Sequence, residues 1–363
     1  MPNRPMCVSA AMAGATWPMA QRRNERDGTM LNAAVIGLGW WGKTITDRMQ
    51  ASTEMQITRA VDLFPEKQGD YTAKYGVPVT GDYAELLADP DVHAVILTTP
   101  NSLHTAQIAA AANAGKHVFC EKPLALNVAE ARASVALCQE NKVVLGMGHE
   151  RRFELAMLEV ERMIRDGELG EIMHAEGNFS HDKLINVPVT DWRRSATESP
   201  AAGYTAMGIH LSDAFVNLFG PASEVQAMTA KRVLPGDNGD VVSALIRFHS
   251  GPTAYLNAVL YTPLYLRFTV FGTKAWVEYL NETHPDTPGP STLTVQVTGL
   301  PPRVITYDWT DSVRANLDLF AQAAQGRATY SFTPEQLVGN IAILEAIVAS
   351  AAGGGSILLP KDR

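Results

Sequence analysis

Residues Ala33-Ala34-Val35-Ile36-Gly37-Leu38-Gly39-Trp40-Trp41-Gly42 run from an unbroken apolar stretch straight into Gly-x-Gly-x-x-Gly. Four apolar residues without polar alternation predict a strand covered on both faces, as in a parallel sheet. Lys43 to Met49 then reads as a helix. In a dinucleotide site Gly37 permits the tight turn, Gly39 lets backbone approach a pyrophosphate, and Gly42 lets helix and strand pack closely. Trp40 and Trp41 lie in the same turn, at a helix start whose free N–H groups and positive dipole end suit phosphate. A second strand, Ile57 to Val61, ends on Asp62, where a carboxylate accepts hydrogen bonds from an adenosine ribose. Asp62 repels a ribose 2′-phosphate, and Leu63-Phe64-Pro65 offers that phosphate no basic partner. NAD is therefore expected rather than NADP, although Lys67 stands nearby.

A chain of 363 residues suits two domains rather than one core, and 46% apolar with 19% charged residues is ordinary globular composition. A net charge of −8 gives no footprint for nucleic acid and no attraction to an anionic membrane. Cys7, Cys120 and Cys138 have neither disulfide-framework nor metal-ligand spacing, so no metal is expected and a reducing cytoplasm fits. Residues 1–29 carry scattered arginines around a short Ala/Gly-rich run and read as a disordered leader, with Met30 a natural start. No later segment looks long and uninterrupted enough for a membrane span.

From Pro65 helix and strand alternate: helices over Glu66 to Tyr75, Tyr83 to Leu87, His104 to Ala114 and Asn127 to Asn141, strands over Ala94 to Leu97, His117 to Cys120 and Val143 to Leu145. Repeated βα units predict a doubly wound parallel sheet over residues 30–150, with ligands at the carboxyl ends of its strands. Those ends carry Asp62, Thr98, Pro100, Asn101, Glu121 and Lys122. Residues 151–363 read as an α+β domain with a large, open, mostly antiparallel sheet. Its clearest strands are Ile172 to Phe179, Glu224 to Lys231, Val241 to His249, Thr253 to Tyr261 and Leu266 to Phe271; Thr294 to Val297 and Val304 to Tyr307 add a pair. Met207 to Phe219 is helical after a long polar loop from Ser180, and helices over Val313 to Gln325 and Pro334 to Ala352 are expected to pack back on the first domain.

From Met30 to the end the chain resembles the Gfo/Idh/MocA family, the glucose–fructose oxidoreductase and inositol dehydrogenase group. Thr99-Pro100-Asn101-Ser102-Leu103-His104 matches its T-P-N-x-x-H turn, Ala114 to Pro123 its A-G-K-H-V-x-x-E-K-P signature, and Gly208 to Asp213 its G-x-H-x-x-D. The resemblance implies NAD(P)-dependent oxidation of a secondary hydroxyl on a sugar, sugar acid or cyclitol. It also implies a homodimer or homotetramer formed through the C-terminal sheet. Lys122 and His210 become the catalytic residues, and His104 joins the cofactor turn. Removing hydride from a carbinol requires the hydroxyl proton to leave too, so His210 is expected as general base and Lys122 as its electrostatic partner.

The family's D-x-G-x-H pattern has Ala206 here in place of its aspartate, leaving Tyr204, Asp213 and Glu150 as candidate replacements. His149, Arg151, Trp192, Arg193 and Tyr204 are candidate substrate contacts, by forked arginine bonds or by stacking. Two other readings stand beside the dehydrogenase: a redox glycosidase with tightly held NAD, and a non-catalytic NAD-binding sensor. A cyclic dihydrodiol is an alternative substrate.

Overall fold

The computed structural model describes residues 30–361 apart from 202, 283, 285 and 286. The leader and Cys7 lie outside them. The first domain holds β1 (Leu31–Ile36), α1 (Trp40–Met49), β2 (Met55–Val61), α2 (Gly69–Tyr75), β3 (Val79–Thr80), α3 (Tyr83–Ala88), β4 (Ala94–Leu97), α4 (His104–Asn113), β5 (His117–Cys120), α5 (Val128–Glu140) and β6 (Leu145–Met147). Its six strands pair in the order β3-β2-β1-β4-β5-β6, all parallel. The order reverses beside β1, so the Gly37 turn lies at the switch point where such sheets bind ligands. Every residue of β4 is buried, which accounts for its lack of polar alternation. The last strand begins at Leu145, two residues later than the sequence suggests, because Val143 still closes the end of α5 through its N–H to Cys138 O (2.9 Å).

The second domain follows with α6 (Leu155–Arg165), β7 (Ile172–Ser180), α7 (Ile209–Phe219), β8 (Ala222–Ala230), β9 (Val241–Phe248), β10 (Thr253–Val259), β11 (Tyr265–Gly272), β12 (Ala275–Asn281), β13 (Ser291–Val297), β14 (Arg303–Tyr307), α8 (Ser312–Ala324), α9 (Pro334–Gly353) and β15 (Ile357–Leu358). Nine strands pair in the order β14-β13-β12-β11-β7-β10-β9-β8-β15, antiparallel except for β7 against β10. Helices cover one face: α9 lies on β8, α7 on β7 and β10, and α6 on β12 and β13. Beneath them Phe215, Phe219, Phe248 and Phe268 form an aromatic cluster. Each fully buried ring of this kind stabilises by roughly 1.5–3 kcal/mol. The other face leaves Met228, Leu245, Tyr255 and Met173 exposed.

By length and composition α9 is apolar enough to cross a membrane, against the sequence expectation. It instead packs on β8, α5 and α7 with most of its residues buried, which explains an apolar helix without a bilayer. Its start is fixed by a capping box between Thr333 and Gln336. Contacts of α8 with α1, β2 and β5, and of α9 with α5, dock the two domains.

Candidate active site

The Gly-rich turn has the shape a dinucleotide requires. Gly37 adopts φ +97°, and a Cβ on Gly42 would lie 2.1 Å from Gly37 O. Gly39 differs: a Cβ there meets nothing within 4 Å, so the backbone is bare toward the open side where a pyrophosphate would lie. Asp62 accepts from Leu38 N (2.8 Å) and Phe64 N (3.0 Å), which aims its carboxylate across the turn. These features fit a nicotinamide dinucleotide. Trp40 is largely exposed and its ring lies tilted against Trp41, whose buried indole N–H points toward the Glu121 carboxylate.

At the end of β4, Thr98 Oγ1 donates to Gly37 O (2.6 Å), and Pro100 leads into a short 3-10 turn. The Asn101 amide donates to Glu198 O (2.7 Å), and Ser102 N to the Glu198 carboxylate (3.1 Å). Those bonds pin the long polar loop of the second domain across this turn. His104 is fully buried, its ring nitrogens against Pro123 O (2.7 Å) and Thr99 O (3.2 Å). It braces two cofactor-side turns and does not itself face the cleft.

Lys122 reaches across the domain boundary. Its Nζ donates to the carbonyls of Ala206 (2.7 Å) and Thr205 (3.4 Å). Both belong to a π-helical turn, Tyr204–Gly208, that precedes α7. Single π turns of this kind are frequent at functional sites. Gly203 and Gly208 let it press on β10: a Cβ on Gly203 would come 2.9 Å from Ala258 O. Burial, with the charges of Arg193 and Arg151, lowers the pKa of Lys122 against the opposing pull of Glu121 and Glu150.

One residue into α7, His210 is buried against His149, the rings meeting edge to face with Nδ1 to Nδ1 at 3.4 Å. Burial, then the charge of Lys122, pushes His210 well below its usual pKa. Glu150 Oε2 lies 3.8 Å from His210 Nδ1. Burial raises Glu150 to about 6 and Glu121 to about 8, the latter with help from Glu150.

Of the three candidates to replace the carboxylate missing at Ala206, Glu150 stands beside His210. Asp213 instead takes both Nε and Nη2 of Arg152 at 2.7 Å. Tyr204 is fully buried, with its hydroxyl on Ser212 (2.6 Å) and Asn340 (3.4 Å).

Arg151 is buried, its Nη1 on Glu154 (2.6 Å), while among the described residues Nε and Nη2 have no hydrogen-bond partner and Nε lies 3.7 Å from the Glu150 carboxylate. It lies over the Phe179 ring and lines a cavity with His210. Trp192 and Arg193 stack on one another at 4.1 Å, Arg193 also pairing with Asp191 (3.2 Å). His149 is buried behind His210 rather than in the cleft. Sequence reasoning missed His181, His284 and Asn340. The His181 ring, held neutral by burial with a pKa lowered to about 4, approaches His284, and His284 approaches Trp40. No sequence spacing links these residues. Cys120 is fully buried, its thiol pKa raised by burial, and carries no chemistry here.

Residues 31–149 match the family model described as the GFO_IDH_MocA oxidoreductase family, NAD-binding Rossmann fold. Residues 157–278 match that of the GFO/IDH/MocA C-terminal domain. A 1,5-anhydro-D-fructose reductase of Ensifer adhaerens is 30% identical over 310 residues, 84% of this chain and 91% of that protein. A D-xylose 1-dehydrogenase (NADP(+)) of Haloferax volcanii is 27% identical over 91% of this chain and 98% of its own. Other matches are partial: the chain spans 62% of the length of an uncharacterized oxidoreductase of Streptococcus pneumoniae. It spans 60% of a 2,7-anhydro-N-acetylneuraminate hydratase of Mediterraneibacter gnavus. The crystal structure of an aldose-aldose oxidoreductase from Caulobacter crescentus superposes with a TM-score of 0.82 at 26% identity, over 91% of this chain and 100% of that one.

Proposed function

The chain belongs to the Gfo/Idh/MocA oxidoreductase family, and from that premise we propose that it is an NAD-dependent dehydrogenase of a sugar-like secondary alcohol. The observation that supports this reading is that Lys122 reaches from the first domain to the carbonyls of the turn preceding His210, near enough for its charge to act on that imidazole. A bound nicotinamide supplies the hydride acceptor. Gly37, Gly39, Trp40, Trp41, Gly42 and Asp62 would hold the dinucleotide, with Thr98, Pro100, Asn101 and Glu121 framing the nicotinamide end. Lys122 and His210 both address the substrate oxygen, one holding it by a hydrogen bond while the other exchanges its proton. Arg151, Trp192 and Arg193 would contact the remainder of a polyol.

Asp62 supports NAD, while the Haloferax volcanii relative bears NADP in its name. The named reductase and dehydrogenase relatives support a sugar-like substrate. The apolar residues of the open sheet face, Met228, Leu245 and Tyr255, support a homo-oligomer through that sheet. Cys120 and Cys138 as buried free thiols fit a reducing, cytoplasmic setting. The test is a panel of sugars, aldonates, cyclitols and cyclic dihydrodiols with NAD⁺ and NADP⁺, followed by nicotinamide absorbance. Turnover of a polyol is expected, and tight nucleotide binding with no turnover of any panel member would refute the reading.

A further inference from the structure

Asn340 lies on α9 behind the two imidazoles, and its neighbours fix the orientation of its amide. Nδ2 is 3.2 Å from the Ile209 carbonyl, which can only accept, while Oδ1 is 2.6 Å from Ser212 Oγ, a hydroxyl-to-oxygen distance. The same Nδ2 reaches His149 Nε2 at 3.1 Å. That nitrogen must therefore accept, and neutral His149 carries its proton on Nδ1. His149 Nδ1 faces His210 Nδ1 at 3.4 Å, so His210 Nδ1 accepts in turn. The one proton of neutral His210 is left on Nε2, the ring atom turned away from both neighbours.

We propose that Asn340 and His149 form a tautomer lock that makes His210 a hydrogen-bond donor to the substrate oxygen and leaves Lys122 to exchange the proton. The proposal rests on the dehydrogenase reading and reverses the roles the sequence suggests for the two residues. Lys122 suits its part: a neutral amine has two N–H bonds, matching the Ala206 and Thr205 carbonyls, and one lone pair left to accept. In oxidation the hydroxyl proton passes to that lone pair and forms the ammonium, while the hydride is the nicotinamide's to accept. His210 keeps Nε2–H on the same oxygen throughout. In reduction the ammonium returns the proton. His149 and Asn340 touch neither substrate nor cofactor and are positioning residues.

Two carboxylates oppose the lock. Glu150 Oε2 lies 3.8 Å from His210 Nδ1, and Asp213 Oδ1 lies 3.8 Å from His149 Nε2. Neither is within hydrogen-bonding distance, and Arg152 takes both oxygens of Asp213. Burial and the charge of Arg151 at His210, and burial and the charge of Arg152 at His149, disfavour a second proton on either ring, against the pull of Asp213 on His149. Phe332 stacks on His149 and adds no charge.

The experiment is nitrogen NMR of the full chain labelled at histidine, with and without NAD⁺, between pH 6 and 8. His210→Gln and His149→Gln spectra supply the assignments. The expected result is His210 with Nδ1 bare and Nε2 protonated; a proton on His210 Nδ1 overturns the proposal. Asn340→Asp turns the donor at His149 Nε2 into an acceptor and should exchange the tautomers of both rings. It should also lower kcat at least about tenfold, with the Kd for NAD⁺ unchanged. If Asn340→Asp does not fold, His149→Phe keeps a ring against Phe332 but removes the donor. His210 should then show mixed tautomers, and an unaltered Nε2–H would equally overturn the lock. The spectra need no substrate, so an inactive substrate panel would defeat the dehydrogenase reading without touching the tautomer result.

Discussion

Replacing Ala206 by aspartate returns a carboxylate to the position where the family commonly has one, and the structure indicates its effect. The Ala206 carbonyl is 2.7 Å from Lys122 Nζ, and its side chain is half-buried on the same turn. A carboxylate on that residue falls about 4–5 Å from the ammonium, where opposite charges attract by about 4 kcal/mol at an effective dielectric constant near 20. That is an upper bound of about three pKa units, and partial exposure reduces it to about one to two. The sign is definite: added negative charge favours the ammonium and raises the pKa of Lys122. If neutral Lys122 takes the proton, the acid limb of kcat/KM for alcohol oxidation moves up by that amount. Oxidation near pH 7 then falls about 10- to 100-fold. Ketone reduction, which starts from the ammonium, should be unimpaired at the same pH, separating this effect from damage to the fold. The assay is the pH profile of kcat/KM in both directions for the two proteins. An acid limb that stays in place or moves down would refute the reasoning. A gain of oxidation at every pH would mean that no local group stands in for the missing aspartate.

Wild-type protein is expected to bind NAD⁺ at least about tenfold more tightly than NADP⁺. Asp62→Ala should narrow the gap by weakening NAD⁺; fluorescence titration reads both, and a wild-type preference for NADP⁺ would sink the assignment. Gly42→Ala places a methyl 2.1 Å from Gly37 O and 2.8 Å from Thr98 Oγ1. It should destabilise by more than about 3 kcal/mol and abolish NAD⁺ binding, so an unchanged Tm would contradict the packing. Asp240 accepts from the backbone N–H groups of Arg232, Val233 and Leu234 at 2.6–2.9 Å. Burial alone would raise its pKa, but these three donors outweigh it and lower it. Its contribution is therefore present above the ordinary aspartate pKa and is lost as pH falls through the lower folded value. Asp240→Asn should destabilise by about 1–2 kcal/mol at pH 7, with the difference shrinking once the pH falls below the ordinary aspartate range, in denaturant melts at neutral and acid pH.

The parallel sheet was legible because its fingerprint is local: a buried strand, three glycines and an acid at set spacing. β12 was less so. Ala275, Val277 and Tyr279 face the core in clean alternation, but Trp276 and Leu280 put apolar residues on the open face and blur the period. The apolar length of α9 is a core property that sequence cannot separate from a membrane span without knowing what packs on it. At the site, Lys122 and His210 came from motif resemblance. The burial of Tyr204 was not legible because it sits on a π turn, and no local pattern announces one. The Asn340 to His149 to His210 chain joins residues far apart in sequence and is visible only in three dimensions.

The bond from Lys122 to the 204–208 turn, with that of Asn101 to Glu198, ties the two domains together at the proposed reacting centre. Neither half owns the chemistry. On the proposed reading, one carries the amine and the nucleotide turn, and the other carries the imidazole and the wall that would meet the substrate. A graft that changes the second half changes what is recognised without disturbing the nucleotide, provided the 204–208 carbonyls return to the same seat. Turnover therefore gauges how well the halves are seated, and it should fade under mild denaturant before either half loses its own secondary structure.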